Sequence, residues 1–328
     1  YQPKMLTKLL LTVLLALTHN SLFCWGFFAH RKINQVAVFL LPPGMMVLYK
    51  PYLDFLEEHA VDPDKRRYVV PAEAPRHYID MDHYGKYPYS ALPHSWHEAV
   101  EKFGEDSLVA HGIVPWWINI MMERLTKAFR DRDQTRILKF SAEIGHYIAD
   151  AHVPLHTSSN HNGQLSGQLG IHAFWESRIP ELLADQSYDF FIGKAQYIDH
   201  PSLFIWDRVL ESAAASDTVL KIEKQLSLKF RPDQKFAFEN RNGAVLRQYS
   251  SAYTLAYSKR LKGMVERRMR QAIFAIASFW FTAWTNAGQP DLSALQNRNF
   301  NELELKEFER MNTAWAKANS SAKDAEGH

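Results

Sequence analysis

Residues 133–156 read Asp133-Gln-Thr-Arg-Ile137-Leu-Lys-Phe140-Ser-Ala-Glu-Ile144-Gly-His146-Tyr-Ile148-Ala-Asp150-Ala-His152-Val-Pro154-Leu-His156. Ile137, Phe140, Ile144, Ile148 and Ala151 recur at intervals of three and four, which puts them in one stripe of an α-helix. Pro154 ends that helix, because proline has no N–H to donate and its ring blocks the preceding turn. Outward from this stretch, the same spacing recurs over 31–41, 44–58, 115–130, 168–185, 202–227 and 243–287. Alternating, strand-like runs are nearly absent, Arg67 to Val70 being the one faint case. Pro42-Pro43, Asp62-Pro63, Pro71 to Pro75 and Arg231-Pro232 mark loops. The pattern predicts an all-α fold, a single mostly helical domain without internal repeats.

Composition sets the outer bounds. With 328 residues, 46% hydrophobic and 23% charged, the chain has the make-up of a globular protein, which excludes disordered and collagen-like classes. A formal charge of +2 gives no argument for nucleic acid or membrane by itself. Cys24 is the only cysteine, so a disulfide framework or a Cys-ligated zinc finger within the chain is excluded. A metal site must then be assembled from His, Asp, Glu and backbone groups, and the chain has 15 histidines.

Lys4 and Lys8 precede an apolar run from Leu9 to Leu17, too short to span a membrane, which needs about 20 apolar residues. This is the layout of a signal peptide, residues 1–24, with cleavage expected between Cys24 and Trp25. Export to the periplasm or the medium follows from that reading. Residues 25–318 form the expected domain and 319–328 a polar tail.

A histidine and a carboxylate four residues apart on a helix share a face, with Cβ atoms about 6 Å apart, and can reach one ion. His146…Asp150 and His172…Glu176 have this spacing inside amphipathic segments. His94…Glu98 and His97…Glu101 have it too, but on a segment read as an exposed helix, where an ordinary surface role is expected. His146 and Asp150 stand beside the apolar stripe, where ionisable groups need a partner or a metal. His156, just past Pro154, can swing alongside as a third ligand. Three protein ligands and an open position make a catalytic zinc site.

His146-Tyr-x-x-Asp150-x-x-x-Pro154-x-His156, followed by Asn160, resembles the signature of the bacterial zinc-dependent phospholipases C. The fungal and plant zinc-dependent single-strand nucleases have a similar ligand framework. The resemblance implies an all-α fold, three zinc ions and cleavage of phosphoester bonds. It further implies nine ligands, met here in the family's order across 25–176: Trp25, His30, Asp62, His77, His146, Asp150, His156, His172 and Glu176. By the same resemblance, Asp62, His77, His146 and Asp150 hold one zinc, and His156, His172 and Glu176 a second. The third takes the Trp25 amine and carbonyl, His30 and Asp150, so that Asp150 bridges two ions. Glu176 and the short gap to His172 are phospholipase-like, whereas the Trp25-to-His30 spacing is nuclease-like.

One consequence is testable without a structure. An α-amine can give up its proton to bind zinc, but a peptide nitrogen has no available lone pair. A single glycine placed before Trp25 is therefore expected to remove the third zinc and most of the hydrolysis, leaving the ions held by side chains alone. Equal zinc content and equal activity in the extended and unextended proteins would remove Trp25 from the site.

The resemblance implies the substrate contacts as well. Tyr78 stands where the nucleases carry an aromatic that stacks a base, a contact worth about 1–3 kcal/mol. Asp80 and Asp82 resemble acids that orient the hydroxide or a histidine, and Lys86 lies close enough in sequence to meet a phosphate. Catalysis is assigned to Asp150, Asp62 and Asp82. Residues 229–270 carry eleven Lys and Arg against three acids, interleaved with Tyr249, Tyr253 and Tyr257, an excess suited to a polyanion or an anionic headgroup. The expected function is an exported zinc-dependent phosphodiesterase acting on single-stranded nucleic acid or 3′-nucleotides. The first alternative is a phospholipase C at a phospholipid surface, and the second a non-enzymatic helical binding protein with structural metals. No obligate protein partner is evident.

Overall fold

The computed structural model describes residues 26–241, 244–295 and 300–326, with no account of the side chains of 241, 244 and 319–326. The signal peptide, the cleavage point and Trp25 lie outside the described residues, as do the last two residues of the expected tail. The described residues are mostly helical, with one two-stranded sheet, and the fold is all-α as expected.

The quoted stretch lies at the centre. It forms a helix over Gln134–Ala151, started by Asp133, whose side chain accepts from the Arg136 N–H at 3.1 Å. It ends at His152, and Val153 takes the extended backbone that a following proline demands. The sequence pattern implied one apolar face. Instead every residue from Ser141 to Ala151 is buried, because other helices cover this one on all sides.

Eight helices carry the argument: α1 (Phe27–Val38), α2 (Asp62–Arg66), α3 (Val114–Arg130), α4 (Gln134–Ala151), α5 (Pro201–Ser227), α6 (Ser251–Arg260), α7 (Met264–Asn286) and α8 (Glu302–Glu326). α1, α3 and α7 pack on α4, and the Trp280 indole on α7 donates to the Ser141 carbonyl at 3.0 Å. α1 comes closest at Gly145. A Cβ there would lie 2.1 Å from Asn34 Oδ1, so only glycine admits Asn34, which caps this approach with a bond to the Ala142 carbonyl at 3.0 Å.

Several boundaries differ from the sequence reading. Segment 44–58 divides into Pro43–Tyr49 and Leu53–Glu58 at Lys50-Pro51. Tyr68 to Val70 form a turn and its exit, not a strand. Segment 243–287 is not one helix: it opens as strand β2 and then breaks between α6 and α7 at Lys262 and Gly263, both at positive φ. β1 (Phe236–Arg241) pairs antiparallel with β2 (Ala244–Tyr249), Phe238 opposite Arg247. The Asn242-Gly243 pair between them is a hairpin signal that helical spacing concealed. α8 was not anticipated, and it continues to Glu326, through most of the expected tail. Among the described residues, no helix is long and apolar enough to cross a membrane.

Candidate metal centre

α4 brings His146 and Asp150 to one point, and the surrounding segments deliver the rest. α1 contributes His30, whose ring stacks on that of His146 with centroids 3.8 Å apart. A 3₁₀ turn over Pro71–His77 contributes His77. The turn after Pro154 contributes His156, and its backbone is joined to the His77 segment by Ile79 N–H donating to the His156 carbonyl at 2.9 Å. His172 and Glu176 come from Ile171–Ala173 and the π turn Phe174–Arg178, a rare geometry that concentrates at functional sites.

Asp150 is the hub. Its Oδ2 lies 2.9 Å from His77 Nδ1 and 3.2 Å from His146 Nε2. Its Oδ1 lies 3.4 Å from His30 Nε2 and 3.7 Å from His156 Nε2. Glu176 Oε2 is 3.0 Å from His172 Nε2 and 3.5 Å from His156 Nε2. Among the described residues, three groups of side chains could each hold a metal ion: His77, His146 and Asp150; His156, His172 and Glu176; and His30, Asp64 and His146.

Two observations fit these groups to cations. The Nδ1 atoms of His146, His156 and His172 lie 2.8, 2.5 and 3.1 Å from the carbonyls of Ala60, His77 and His161. Carbonyls only accept, so Nδ1 carries the proton and Nε2 turns a lone pair inward, the arrangement that orients metal-bound histidines. The inward atoms then crowd one another, His156 Nε2 and His172 Nε2 standing 3.1 Å apart. Secondly, Asp64, Asp150 and Glu176 are all buried, and buried carboxylates need compensating positive charge. Both oxygens of Asp64 lack a hydrogen-bond partner.

The electrostatics agree. Burial and the neighbouring His146 lower His30 to about 4. Burial also lowers His156, and burial together with His156 lowers His172 well below the usual histidine range. All three are neutral, as ligands must be. His146 runs the other way. Burial opposes its charging, but the carboxylates of Asp150 and Asp64 outweigh burial and raise it to about 9. Burial works against the Asp150 anion, yet His146 and His156 overcome it and hold the carboxyl well below its ordinary value. Both shifts express a demand for cationic charge at the hub.

A cavity of about 240 Å³ opens over this cluster, with His77, His156 and His172 in its wall. Tyr78 and Asp80 line it as well, joined by Arg67, Ser159 and His161, which the sequence reading missed. The segment 110–114 supports Tyr78 from behind. The Tyr78 hydroxyl donates to the Ala110 carbonyl at 3.2 Å, and a Cβ on Gly112 would lie 2.2 Å from the Tyr78 carbonyl oxygen. His111 Nδ1 lies 3.3 Å from Asp80 Oδ2, and burial raises the Asp80 carboxyl.

Three expected site residues are placed elsewhere. Asp62 turns from the clustered ligands to His59 and Lys65: its Oδ2 lies 2.5 Å from His59 Nδ1 and its Oδ1 3.4 Å from Lys65 Nζ. Asp64 takes the expected place, 3.7 Å from His146 Nε2 and 3.8 Å from His77 Nδ1. Residues two apart on a helix point about 200° apart, so a two-residue choice exchanges the faces of α2. Asp82 accepts from Ser159 N–H at 2.9 Å and from the Ser159 hydroxyl at 2.6 Å. It therefore anchors the loop beyond His156 instead of meeting a reacting group. Lys86 is exposed and lies outside the cavity wall, where Arg67 supplies the positive charge instead. His152 points away from the cluster, its Nδ1 donating to the Ile148 carbonyl at 2.7 Å. Glu98 and Glu101 are exposed, as expected of surface pairs.

No protein-family model and no curated protein matches this chain.

Proposed function

We propose that the protein is a zinc-dependent phosphoester hydrolase holding three ions, acting on single-stranded nucleic acid or 3′-nucleotides. The observation that carries this reading is the position of Asp150, whose two oxygens each face a different pair of imidazoles. Bound zinc supplies Lewis acidity and hydroxide at neutral pH. The chain's own residues do the rest. Carbonyl-anchored imidazoles hold their rings in register, Arg67 offers a planar cation suited to phosphate oxygens, and the buried wall limits water around the ester. Tyr78 presents a ring and Asp80 a carboxylate on one side of the cavity, a pairing that suits a flat heterocycle with N–H donors.

A second reading, a phospholipase C, is favoured by Leu165 and Leu169. They are exposed on the same loop that brings Ser159 and His161 into the cavity wall.

Metal analysis of the processed protein after zinc reconstitution is expected to find close to three ions per chain, and no more than one would refute the trinuclear reading. Hydrolysis of single-stranded DNA, RNA, 3′-AMP and phosphatidylcholine vesicles, each with and without chelator, separates the two substrates. Chelator-insensitive hydrolysis, or none on any of the four, refutes the proposal.

A further inference from the structure

Beside the cavity, three segments meet around Glu223 on α5. Gln168, from the loop that lines the cavity, donates to Glu223 Oε2 at 2.5 Å and to the Leu220 carbonyl at 2.9 Å. Lys235, at the root of the hairpin, donates to Glu223 Oε1 at 2.7 Å. The Tyr249 ring, at the end of β2, stacks on Phe174 with centroids 3.8 Å apart, two residues from His172. Loop, helix end and hairpin therefore form one corner attached to the metal centre.

This corner exposes large apolar side chains that have every reason to be covered. Leu165, Leu169, Leu228, Phe238 and Val245 are between 61% and 85% accessible. Single exposed leucines are normal, but a concentration of this kind marks an interaction site. Between them stand the exposed cations Lys221, Lys224, Lys229, Arg231 and Arg247. From 219 to 247 the only exposed acid whose side chain is described is Asp233, and Arg231 already pairs with it at 3.1 Å. Arg247 lies over the Phe236 ring at 3.6 Å, keeping its charge on the same hairpin face as Phe238 and Val245.

We propose that this corner docks the protein on the surface of a bilayer containing anionic lipid, with Phe238, Val245 and the leucines entering the interface and the lysines meeting the headgroups. Apolar side chains flanked by Lys and Arg are the composition of an interfacial anchor, and anionic lipid attracts each nearby cation. A polynucleotide would also be drawn to the charge. It would gain little from the four aliphatic side chains, however, since bases stack on aromatic faces, whereas a bilayer interface takes up aliphatic and aromatic groups alike. Docking here would serve the second reading of the site. The surface itself is argued from exposure and charge, independently of which ester is cut.

The test is sedimentation of the full chain with phosphatidylcholine vesicles, with and without phosphatidylserine. The protein is expected to bind the serine-containing vesicles, and at least ~10-fold more weakly without the anionic lipid. Phe238→Asp with Val245→Asp should weaken binding at least ~10-fold by removing the apolar insertion. Lys224→Glu with Lys229→Glu should weaken it at least ~25-fold on anionic vesicles only. All four positions are exposed, so the fold does not depend on them. No sedimentation with anionic vesicles, or equal binding by parent and both variants, overturns the proposal. So does a charge-reversed variant that loses a single-stranded oligonucleotide while keeping the vesicles. Sedimentation needs no turnover and is repeated after chelation, so failure of docking and failure of the hydrolase reading are seen separately.

Discussion

Asp150→Asn is expected to lower the rate of hydrolysis at least ~10³-fold, the equivalent of about 4 kcal/mol of transition-state stabilisation. Asp150 is fully buried and lies within 3.7 Å of ring nitrogens from His30, His77, His146 and His156. An amide keeps the shape but removes the charge and replaces one acceptor oxygen by a donor. That NH₂ group would face imidazole nitrogens or their shared cations, and it serves neither ion well. Metal content should fall along with rate, with the His156, His172 and Glu176 group retaining its ion best because Glu176 remains. Glu98→Gln and Glu101→Gln change exposed carboxylates and should leave the rate within about twofold, as distant surface changes do. If they cost as much as Asp150→Asn, the distinction drawn between buried and exposed His/carboxylate pairs is wrong.

The second large effect separates two aspartates two residues apart. Asp64→Asn is expected to lower metal content and reduce the rate by at least ~10²-fold, since it removes one anionic ligand from the centre. The metal-free protein should lose little stability, because both Asp64 oxygens are buried without a hydrogen bond and its ion-pair neighbours His146, His77 and Arg67 stand 3.7, 3.8 and 4.0 Å away. Asp62→Asn should show the opposite pattern. Its carboxylate is held by His59 and Lys65, so the substitution should cost about 1–3 kcal/mol of stability while most activity remains. Thermal melts of the metal-free variants, together with zinc content and rate, decide between them. Loss of zinc in Asp62→Asn with retention in Asp64→Asn would restore the assignment that the family resemblance implied.

These two aspartates also mark where sequence reading ended. The choice of Asp62 rested on its distance from His77 along the chain, but a short helix turns about 100° per residue, and counting cannot tell which way α2 rotates against α4. The packing of Arg66 answers it: Arg66 pairs with Glu143 on α4, which turns Asp64 toward His146 and leaves Asp62 facing His59. Arg67 and His161 carried no local pattern at all. They became part of the cavity through the fold, one following α2 and the other on the loop that Asp82 anchors. Lys86, chosen for nearness in sequence, is exposed and outside the cavity wall, and Asp82, chosen by resemblance, is bonded to Ser159.

What the sequence determined by itself was whatever depends on a local period. The 3.6-residue repeat made the helices legible, and the four-residue spacing put His146 with Asp150 and His172 with Glu176 on shared faces before any contact was known. Pro154 likewise announced the end of α4 and the return of His156. What only the tertiary structure decided was whatever depends on contact between distant segments: the stacking of His30 on His146 past Gly145, the orientation of α2, and the exposed corner around Glu223. A helical period is set by backbone geometry within one turn, whereas the rotation of one helix against another is set by side chains that meet only after the chain has closed on itself.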